Sequence, residues 1–184
     1  SNPNNSKYDT KSDKIHLLKI DENPISEKLF ERISDIHAKE DSDYEKRIVF
    51  NMMLSLNRWW SNKGNLEYRK YIVAPNIRVI FELTFNWARR NGKLGLTPEN
   101  KFDNLMEDVI KEISESDNLR KISHKTTLSF NGLKNEFLNN GKSILAAYRT
   151  SNNGSHVGSL YWSETDIENI AKKAETFSIA LFNL

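Results

Sequence analysis

An arginine and a histidine stand seven positions apart in the stretch YRTSNNGSHVGSLYW, which covers residues 148–162. A histidine, with an ordinary pKa of about 6.5, can take the proton of an RNA 2′-hydroxyl or give one to the leaving 5′-oxygen. An arginine keeps its charge and can hold two phosphate oxygens while negative charge develops on them. Arg149 and His156 therefore have the side chains for RNA cleavage that needs neither a metal nor another cofactor.

The residues around this pair allow two interpretations. Asn152, Asn153 and Ser155 can hydrogen-bond to a phosphate or orient the imidazole of His156. They are also residues that simply form a turn. Both interpretations place a polar loop directly after Arg149, where a helix is predicted to end.

The chain contains a second arginine and histidine at a similar spacing, Arg32 and His37. These two fall inside a predicted helix, where five steps of about 100° place the side chains about 140° apart around the axis. Side chains so placed diverge, whereas loops held by rigid helices are where functional sites concentrate. The loop after Arg149 is therefore predicted to carry the convergent pair.

Apolar residues recur at helical spacing along most of the chain, and glycine (7) and proline (4) are scarce. We predict an all-α, mostly antiparallel bundle of five to seven helices in one domain, residues 26–184. The expected helices cover residues 26–38, 44–60, 71–92, 97 to about 113, part of 117–128, 133–148 with a break or kink at 139–141, and 163–184. The predicted apolar face of the second helix comprises Ile48, Met52, Leu56 and Trp59, widened by Met53 and Trp60.

The stretch YIVAPNIRVIFELTFNWARRNG is the most apolar and predicts a central, buried helix. Pro75 fits its first turn, and Asn91-Gly92 fits its C-terminal end. Arg78 and Glu82 lie at i, i+4 and can form the structural ion pair that charges on so apolar a helix need. Near the C-terminus, Ser163 and Asp166 predict a capping box at the start of the last helix.

Basic and aromatic residues follow one another near the ends of the second and third predicted helices. Those proposed to grip RNA phosphates are Arg58, Arg89, Arg90 and Lys93. Trp59 and Trp60, which adjoin Arg58, can stack bases. In the alternative interpretation the two tryptophans belong to the core or to an interface, and the charges are simply solvated.

Composition excludes several classes of site. The chain has no cysteine, so disulfides, thiolate zinc sites and cysteine nucleophiles are ruled out. The net charge of +2 is too small to indicate a nucleic-acid binder by itself. No apolar run approaches the roughly 20 residues that span a bilayer and no signal peptide is visible, so we expect a cytoplasmic protein without a membrane partner.

The first residues, SNPNNSKYDTKSD, carry almost no apolar side chain. Residues 1–13 are therefore expected to be a flexible linker or a remnant of cloning. Because the chain begins Ser-Asn without methionine, we expect the natural protein to be longer.

Three stretches resemble the HEPN superfamily, whose members are small all-α domains. Many carry an arginine, four to six intervening residues and a histidine before the last helix, as in Arg149-Thr-Ser-Asn-Asn-Gly-Ser-His156. The apolar helix with its embedded Arg-x-x-x-Glu and the ending DIENIAKKAETFSIALFNL resemble helices of HEPN domains in abortive-infection and related multidomain defence proteins. The resemblance covers about residues 26–184.

This resemblance implies a metal-independent endoribonuclease of a bacterial toxin or antiphage defence system. It makes Arg149 and His156 the active pair, and it implies a homodimer in which the motifs of two protomers face one cleft. The implied partners are RNA, and an antitoxin or a fused upstream domain.

Thr150 departs from the pattern of many active HEPN ribonucleases, which have Asn, Asp or His after the arginine. Some HEPN domains are inactive and serve in dimerisation or nucleic-acid binding. A non-catalytic HEPN-like module of a larger defence protein is therefore an alternative. A helical scaffold is another, in which Arg149 is a C-terminal helix charge that compensates the dipole.

Overall fold

The computed structural model describes residues 28–33, 42–62, 69–97, 102–139, 141–154 and 162–184, without the side chains of 102–104, 138–139, 141–143 and 153–154. Within these ranges the chain is all-α, which confirms the predicted fold class. The elements are α1 Tyr44–Ser61, α2 Arg69–Arg90, a 3-10 turn Lys93–Gly95, α3 Phe102–Ile113, α4 Ser116–Lys125, α5 Phe130–Lys134, a π-helical turn Asn135–Asn139, α6 Gly141–Gly154 and α7 Glu164–Phe182.

The most apolar stretch forms the centre of the bundle, as predicted. α2 packs against α1, α6 and α7 and touches α3, and Val73, Ile77, Phe81 and Phe85 are fully buried along it. The ring of Phe81 contacts Phe177 of α7 and Tyr148 of α6, with ring centroids 5.5 and 5.9 Å apart. Aromatic residues of three helices therefore meet on one side of α2.

Two helix ends follow the local signals in the sequence. α2 stops at Arg90, where Gly92 adopts a left-handed conformation (φ 59°) that glycine tolerates without strain. α7 begins with the predicted capping box, in which Ser163 Oγ accepts from the N–H of Asp166 and the Asp166 carboxylate accepts from the N–H of Ser163. Both signals act within one turn of the chain.

The predicted first helix is wrong for residues 28–33, which are irregular. Leu29, Phe30 and Ile33 are buried nevertheless. The peptide groups of Phe30 and Ile33 bond to the side chains of Asn57 and Glu175, so partners on other helices replace helical hydrogen bonds. Residues 26, 27 and 34–38 of that prediction lie outside the described residues.

The predicted face of α1 is rotated by about one residue. The buried side chains of the helix are Val49, Phe50, Met53, Leu54, Leu56, Asn57 and Trp60. Ile48, assigned to the core, is 38% exposed, and Met52 and Trp59 are only partly buried. A polar residue, Asn57, occupies part of the buried stripe instead, because the N–H and the carbonyl of Phe30 are hydrogen-bonding partners for its amide.

Pro75 does not lie in the first turn of α2. The helix begins at Arg69, which leaves the proline in the second turn. Packing against neighbouring helices compensates for the hydrogen bond that a proline inside a helix cannot donate.

Other boundaries fall near their predicted places. The ambiguous stretch 117–128 is a short helix, α4, followed by extended backbone at Thr126. The expected break near residue 139 is preceded by a π-helical turn, Asn135–Asn139, before α6 begins. Residues 1–13, and residues 98–101 of the helix that was predicted to begin at residue 97, lie outside the described residues.

Candidate functional site

Arg149 lies within α6, which continues to Gly154. The prediction that a loop begins directly after Arg149 is therefore wrong. Two residues of the predicted loop are held by the fold: Ser151 is buried and donates to the carbonyl of Tyr148 at 2.6 Å, and the side chain of Asn152 accepts from Arg78 of α2. Tertiary contacts thus override the weak helix propensity of serine and asparagine.

The guanidinium of Arg149 is exposed and pairs with the carboxylate of Glu107 on α3. The two side chains are 64% and 62% exposed. Exposed ion pairs contribute only about 0–1 kcal/mol, because water and salt compete for both charges. A phosphate can therefore replace Glu107 as the partner of Arg149 at little cost.

A second arginine, on α2, contacts α6 about one helical turn from Arg149. Arg78 on α2 has its Nε 2.6 Å from Glu82 Oε1, in the i, i+4 ion pair that their spacing predicts. Its Nη1 donates to Oδ1 of Asn152, three residues after Arg149. Arg78 and Glu82 are half-buried, so this contact fixes Asn152 against α2. The polar side of α6 thus carries arginines supplied by two helices.

The remaining predicted site residues divide into two groups. Thr150 lies in α6 and is half-buried, and Asn153 is also in α6, although its side chain is not described. Ser155 and His156 lie outside the described residues. The structure therefore brings Arg149, Asn152 and Arg78 to one region, and the approach of His156 to Arg149 stays a prediction.

In the second pair, Arg32 and His37, the arginine is not helical. Arg32 was expected inside a helix, but it lies in the irregular segment 28–33, and its Nη1 donates to Thr176 Oγ1 at 3.2 Å. His37 is outside the described residues. The divergence expected of helical side chains therefore does not apply to Arg32.

The four predicted RNA-binding cations do not form one cluster, because α1 and α2 run antiparallel. Trp87 at the end of α2 donates its Nε1–H to Asp43, which precedes α1, at 2.6 Å. Arg58 is in the last turn of α1, and Arg89 and Arg90 are in the last turn of α2. From Tyr44, the first residue of α1, to Arg58 the helix rises about 21 Å, so Arg58 lies at the opposite end of the pair of helices.

Arg89, Arg90 and Lys93 do stay together near the end of α2. Arg90 pairs with Glu45 of α1, and Lys93 Nζ lies 5.8 Å from the centroid of the Trp87 ring. Arg89 is half-buried. RNA binding by this smaller group is still a prediction.

The two tryptophans follow the structural interpretation. Trp60 is buried, and the Arg69 guanidinium lies 4.3 Å from its ring centroid. Arg69 is buried too; it donates to the carbonyl of Trp60 and pairs with Glu164 at 2.6 Å. Trp59 packs partly against the core. Trp60 therefore has no face available for stacking on a base.

A buried carboxylate that sequence reasoning missed holds the irregular segment in place. Glu175 on α7 is fully buried, and its Oε1 accepts from the N–H groups of Arg32 and Ile33 at 2.7 and 3.1 Å. Burial raises the pKa of Glu175 above its ordinary value, and the hydrogen bonds from Arg32 and Ile33 only partly oppose this. One feature of the sequence indicates this burial: Glu175 lies on the same face of the last helix as the apolar residues one turn away.

The raised pKa of Glu175 predicts how stability responds to pH. The folded chain holds this proton more tightly than the unfolded chain, so the stabilisation is complete below the unfolded pKa and is lost as the pH rises through the folded pKa. Glu175→Gln removes the buried charge and keeps an acceptor. We expect its free energy of unfolding, relative to the parent, to increase from pH 4 to pH 7 in urea titrations.

Two further variants make this measurement specific. Glu175→Ala leaves two N–H groups without an acceptor and is expected to lower the free energy of unfolding by about 2–4 kcal/mol. Glu168→Gln, at an exposed position of α7, serves as the control and should show no such trend. An equal effect of Glu175→Gln at both pH values would contradict the assignment of a buried, costly charge.

Among the described residues, no three His, Asp or Glu side chains are grouped so that they can hold a metal ion. In the same part of the chain, no helix is both long and apolar enough to cross a bilayer. Comparisons with models of protein families, with curated proteins and with solved structures found no match.

Proposed function

We propose that this chain is a HEPN-type domain that cleaves RNA without a metal, in a bacterial toxin or antiphage defence system. Arg149 would bind the scissile phosphate, and His156 would transfer protons. The observation that carries the proposal is the exposed guanidinium of Arg149, whose partner Glu107 is as exposed as the arginine itself. A phosphate can take the place of that carboxylate.

The reaction would use the 2′-hydroxyl of RNA as the nucleophile. Its oxygen bonds to phosphorus while the bond to the 5′-oxygen breaks, which leaves a 2′,3′-cyclic phosphate and a 5′-hydroxyl. One base takes the 2′ proton and one acid gives a proton to the 5′-oxygen. Arg149 holds the two phosphate oxygens that gain charge.

A single histidine cannot be the base and the acid at the same moment. Two protomers that pair with their motifs facing each other would supply two histidines and two arginines to one cleft. This is the reason for including a homodimer in the proposal. Arg78 would act as a positioning residue, because it holds Asn152 one turn from Arg149.

Arg149→Ala tests the phosphate-binding role. We expect the rate of RNA cleavage in the presence of EDTA to fall by about 10²–10³-fold, the usual cost of removing one donor to a charged transition state. The measurement is single-turnover cleavage of a labelled single-stranded RNA. Thermal unfolding should change little, because the lost ion pair is exposed.

Arg120→Ala is a matched control for this experiment. Arg120 lies on α4, is 67% exposed and has Asp117 as a distant partner at 3.9 Å. Arg120→Ala removes the same charge as Arg149→Ala, from a helical position that is about equally exposed. Equal rates in the parent chain and Arg149→Ala, with both well folded, would refute the catalytic assignment.

The alternative is a non-catalytic HEPN-like module that binds nucleic acid or dimerises within a larger defence protein. Thr150, which follows the arginine in place of the Asn, Asp or His of many active members, favours it. This alternative predicts no cleavage by the parent chain at any pH between about 5 and 9. It also predicts that Arg149→Ala weakens the binding of RNA while Arg120→Ala does not.

A further inference from the structure

Two adjoining cavities run along α7 on the side that faces the irregular segment 28–33. The first, of about 390 Å³, lies between α7 and the α5 region, with Ser129 and Glu136 in its wall. The second, of about 360 Å³, lies towards the C-terminal end of α7, with Phe50 and Lys125 in its wall. Arg32 and Thr127 line both cavities. We call the two together the basic groove.

The charge of the basic groove is strongly one-sided. Its described lining contains five cationic side chains and one carboxylate, Glu136, whereas the whole chain has a net charge of only +2. The cationic side chains are Arg32, Lys46, Lys125, Lys172 and Lys173. Arg32 lines both cavities and each cavity has two of the lysines, so the groove attracts an extended anion.

Carboxylates compensate part of this charge, since Asp43 interacts with Lys46 and Glu175 with Arg32. Lys173 pairs with Glu136, and Lys172 Nζ lies 3.2 Å from the exposed carboxylate of Glu31. Lys46 and Lys125 donate instead to neutral carbonyl oxygens at the end of α7, at 3.3 and 3.1 Å. An incoming anion can therefore approach Lys125 and Lys172 without displacing a buried ion pair.

The apolar part of the lining argues against a nucleotide base as the ligand. The rings of Phe50 and Phe182 meet edge to face, with centroids 5.4 Å apart, and both side chains are buried. Trp87 packs edge-on against Phe182 at 4.9 Å, and Lys46 Nζ lies 5.6 Å from the centroid of the Phe182 ring. Base stacking needs an open ring face, which neither phenylalanine offers.

We propose that the basic groove binds an extended acidic peptide segment of a partner protein, in which carboxylate and apolar side chains alternate. The carboxylates would meet the cations, and the apolar side chains would contact Leu128, Leu133 and Ile179, which also line it. From Asn169 to Phe182, α7 rises about 20 Å, which about seven residues of extended chain can span. This inference does not depend on RNA cleavage, since Arg149 and His156 take no part in it.

The test uses a fluorescein-labelled peptide of about seven alternating glutamate and leucine residues, with binding followed by fluorescence anisotropy. We expect saturable binding that weakens with added salt, and none of the same peptide with lysine in place of glutamate. The double variant Lys125→Glu, Lys172→Glu should weaken it about tenfold or more. Because Lys125 and Lys172 are exposed, the fold should survive, as circular dichroism would confirm.

The control is the double variant Lys111→Glu, Lys121→Glu, which reverses the charge at two exposed lysine positions on α3 and α4. Its peptide affinity should match that of the parent, and Arg149→Ala should also bind the peptide normally even if RNA cleavage is lost. Lys125→Gln, Lys172→Gln provides a second test that adds no negative charge and should also lose affinity.

Four results would overturn the proposal. One is no saturable binding of the acidic peptide, and another is equal affinity in the groove variant and the control variant. The third is a lower affinity of the groove variant for a labelled single-stranded RNA while its affinity for the peptide is unchanged. That result would assign the groove to nucleic acid. A change from dimer to monomer in the groove variant alone, seen by analytical ultracentrifugation, would instead assign it to a second copy of the chain.

Discussion

Replacing His156 with alanine is expected to lower the rate of RNA cleavage by about 10²–10⁴-fold, the usual contribution of a positioned general acid or base. It should also abolish growth arrest when the chain is expressed in a bacterial host. Binding of RNA should change much less, because Arg149 and its charge remain. Single-turnover cleavage in EDTA and a filter-binding titration of the same RNA separate the two effects.

His124→Ala is the control for this prediction. His124 lies in the last turn of α4 and is exposed, so its loss removes an imidazole from the surface without disturbing the core. Cleavage should then proceed at the parental rate. If His156→Ala retains parental cleavage and growth arrest, the assignment of His156 to proton transfer is wrong.

Mixing the parent chain with an excess of the His156→Ala variant tests the shared cleft. A mixed pair of protomers has two arginines but only one histidine, so one of the two proton transfers has no side chain to carry it. If two protomers build one site, the excess of variant should lower the rate of RNA cleavage per parental chain. Sites that each belong to one protomer would leave the rate per parental chain unchanged.

Asn57→Ala is expected to lower the free energy of unfolding by about 2–4 kcal/mol, the largest effect on stability that we predict for a single side chain of α1. Asn57 makes two bonds of 2.9 Å to Phe30: its Oδ1 accepts from the N–H, and its Nδ2 donates to the carbonyl. Both groups of Phe30 are buried, so alanine leaves a donor and an acceptor without partners. Urea denaturation followed by circular dichroism measures the difference.

The control is Asn51→Ala, at an exposed position of the same helix. It should change the free energy of unfolding by no more than about 0.5 kcal/mol. Hydrogen exchange should show a matching loss of protection at Phe30 in Asn57→Ala. A destabilisation no larger than that of Asn51→Ala would show that the Phe30 contact does not hold the segment.

Local patterns in the sequence predicted most of the helices, for reasons that can be stated residue by residue. Met106, Val109, Ile110 and Ile113 form the buried stripe of α3 because their 3–4 spacing places them on one side whatever they pack against. The capping box of Ser163 and Asp166 and the left-handed Gly92 act over three or four residues. Such signals need no knowledge of the rest of the fold.

The candidate site was predictable only in part. Arg149 was singled out by its type and spacing, and the structure adds its exposure and its partner Glu107, 42 positions away in the sequence. The length of α6 beyond Arg149 depends on Ser151 in the core and on Asn152 against Arg78. Those contacts depend on other helices. The polar residues after Arg149, taken by themselves, therefore predicted a helix end where there is none.

The sequence by itself determined the fold class, the buried central helix α2 and two of the helix ends, because each depends on periodicity or on chemistry within one turn. The tertiary structure alone decided which polar residues are buried and which cations lie together. Asn57 and Glu175 can be buried because each bonds to peptide groups of the segment 28–33. These groups lie 27 and more than 140 positions away in the sequence, where no local pattern could reveal them. Antiparallel packing separates Arg58 from Arg90, whereas the fold brings Arg32, Lys125 and Lys172 to one groove. Neighbours in the chain share a helix, but hydrogen bonds and charges act between neighbours in space.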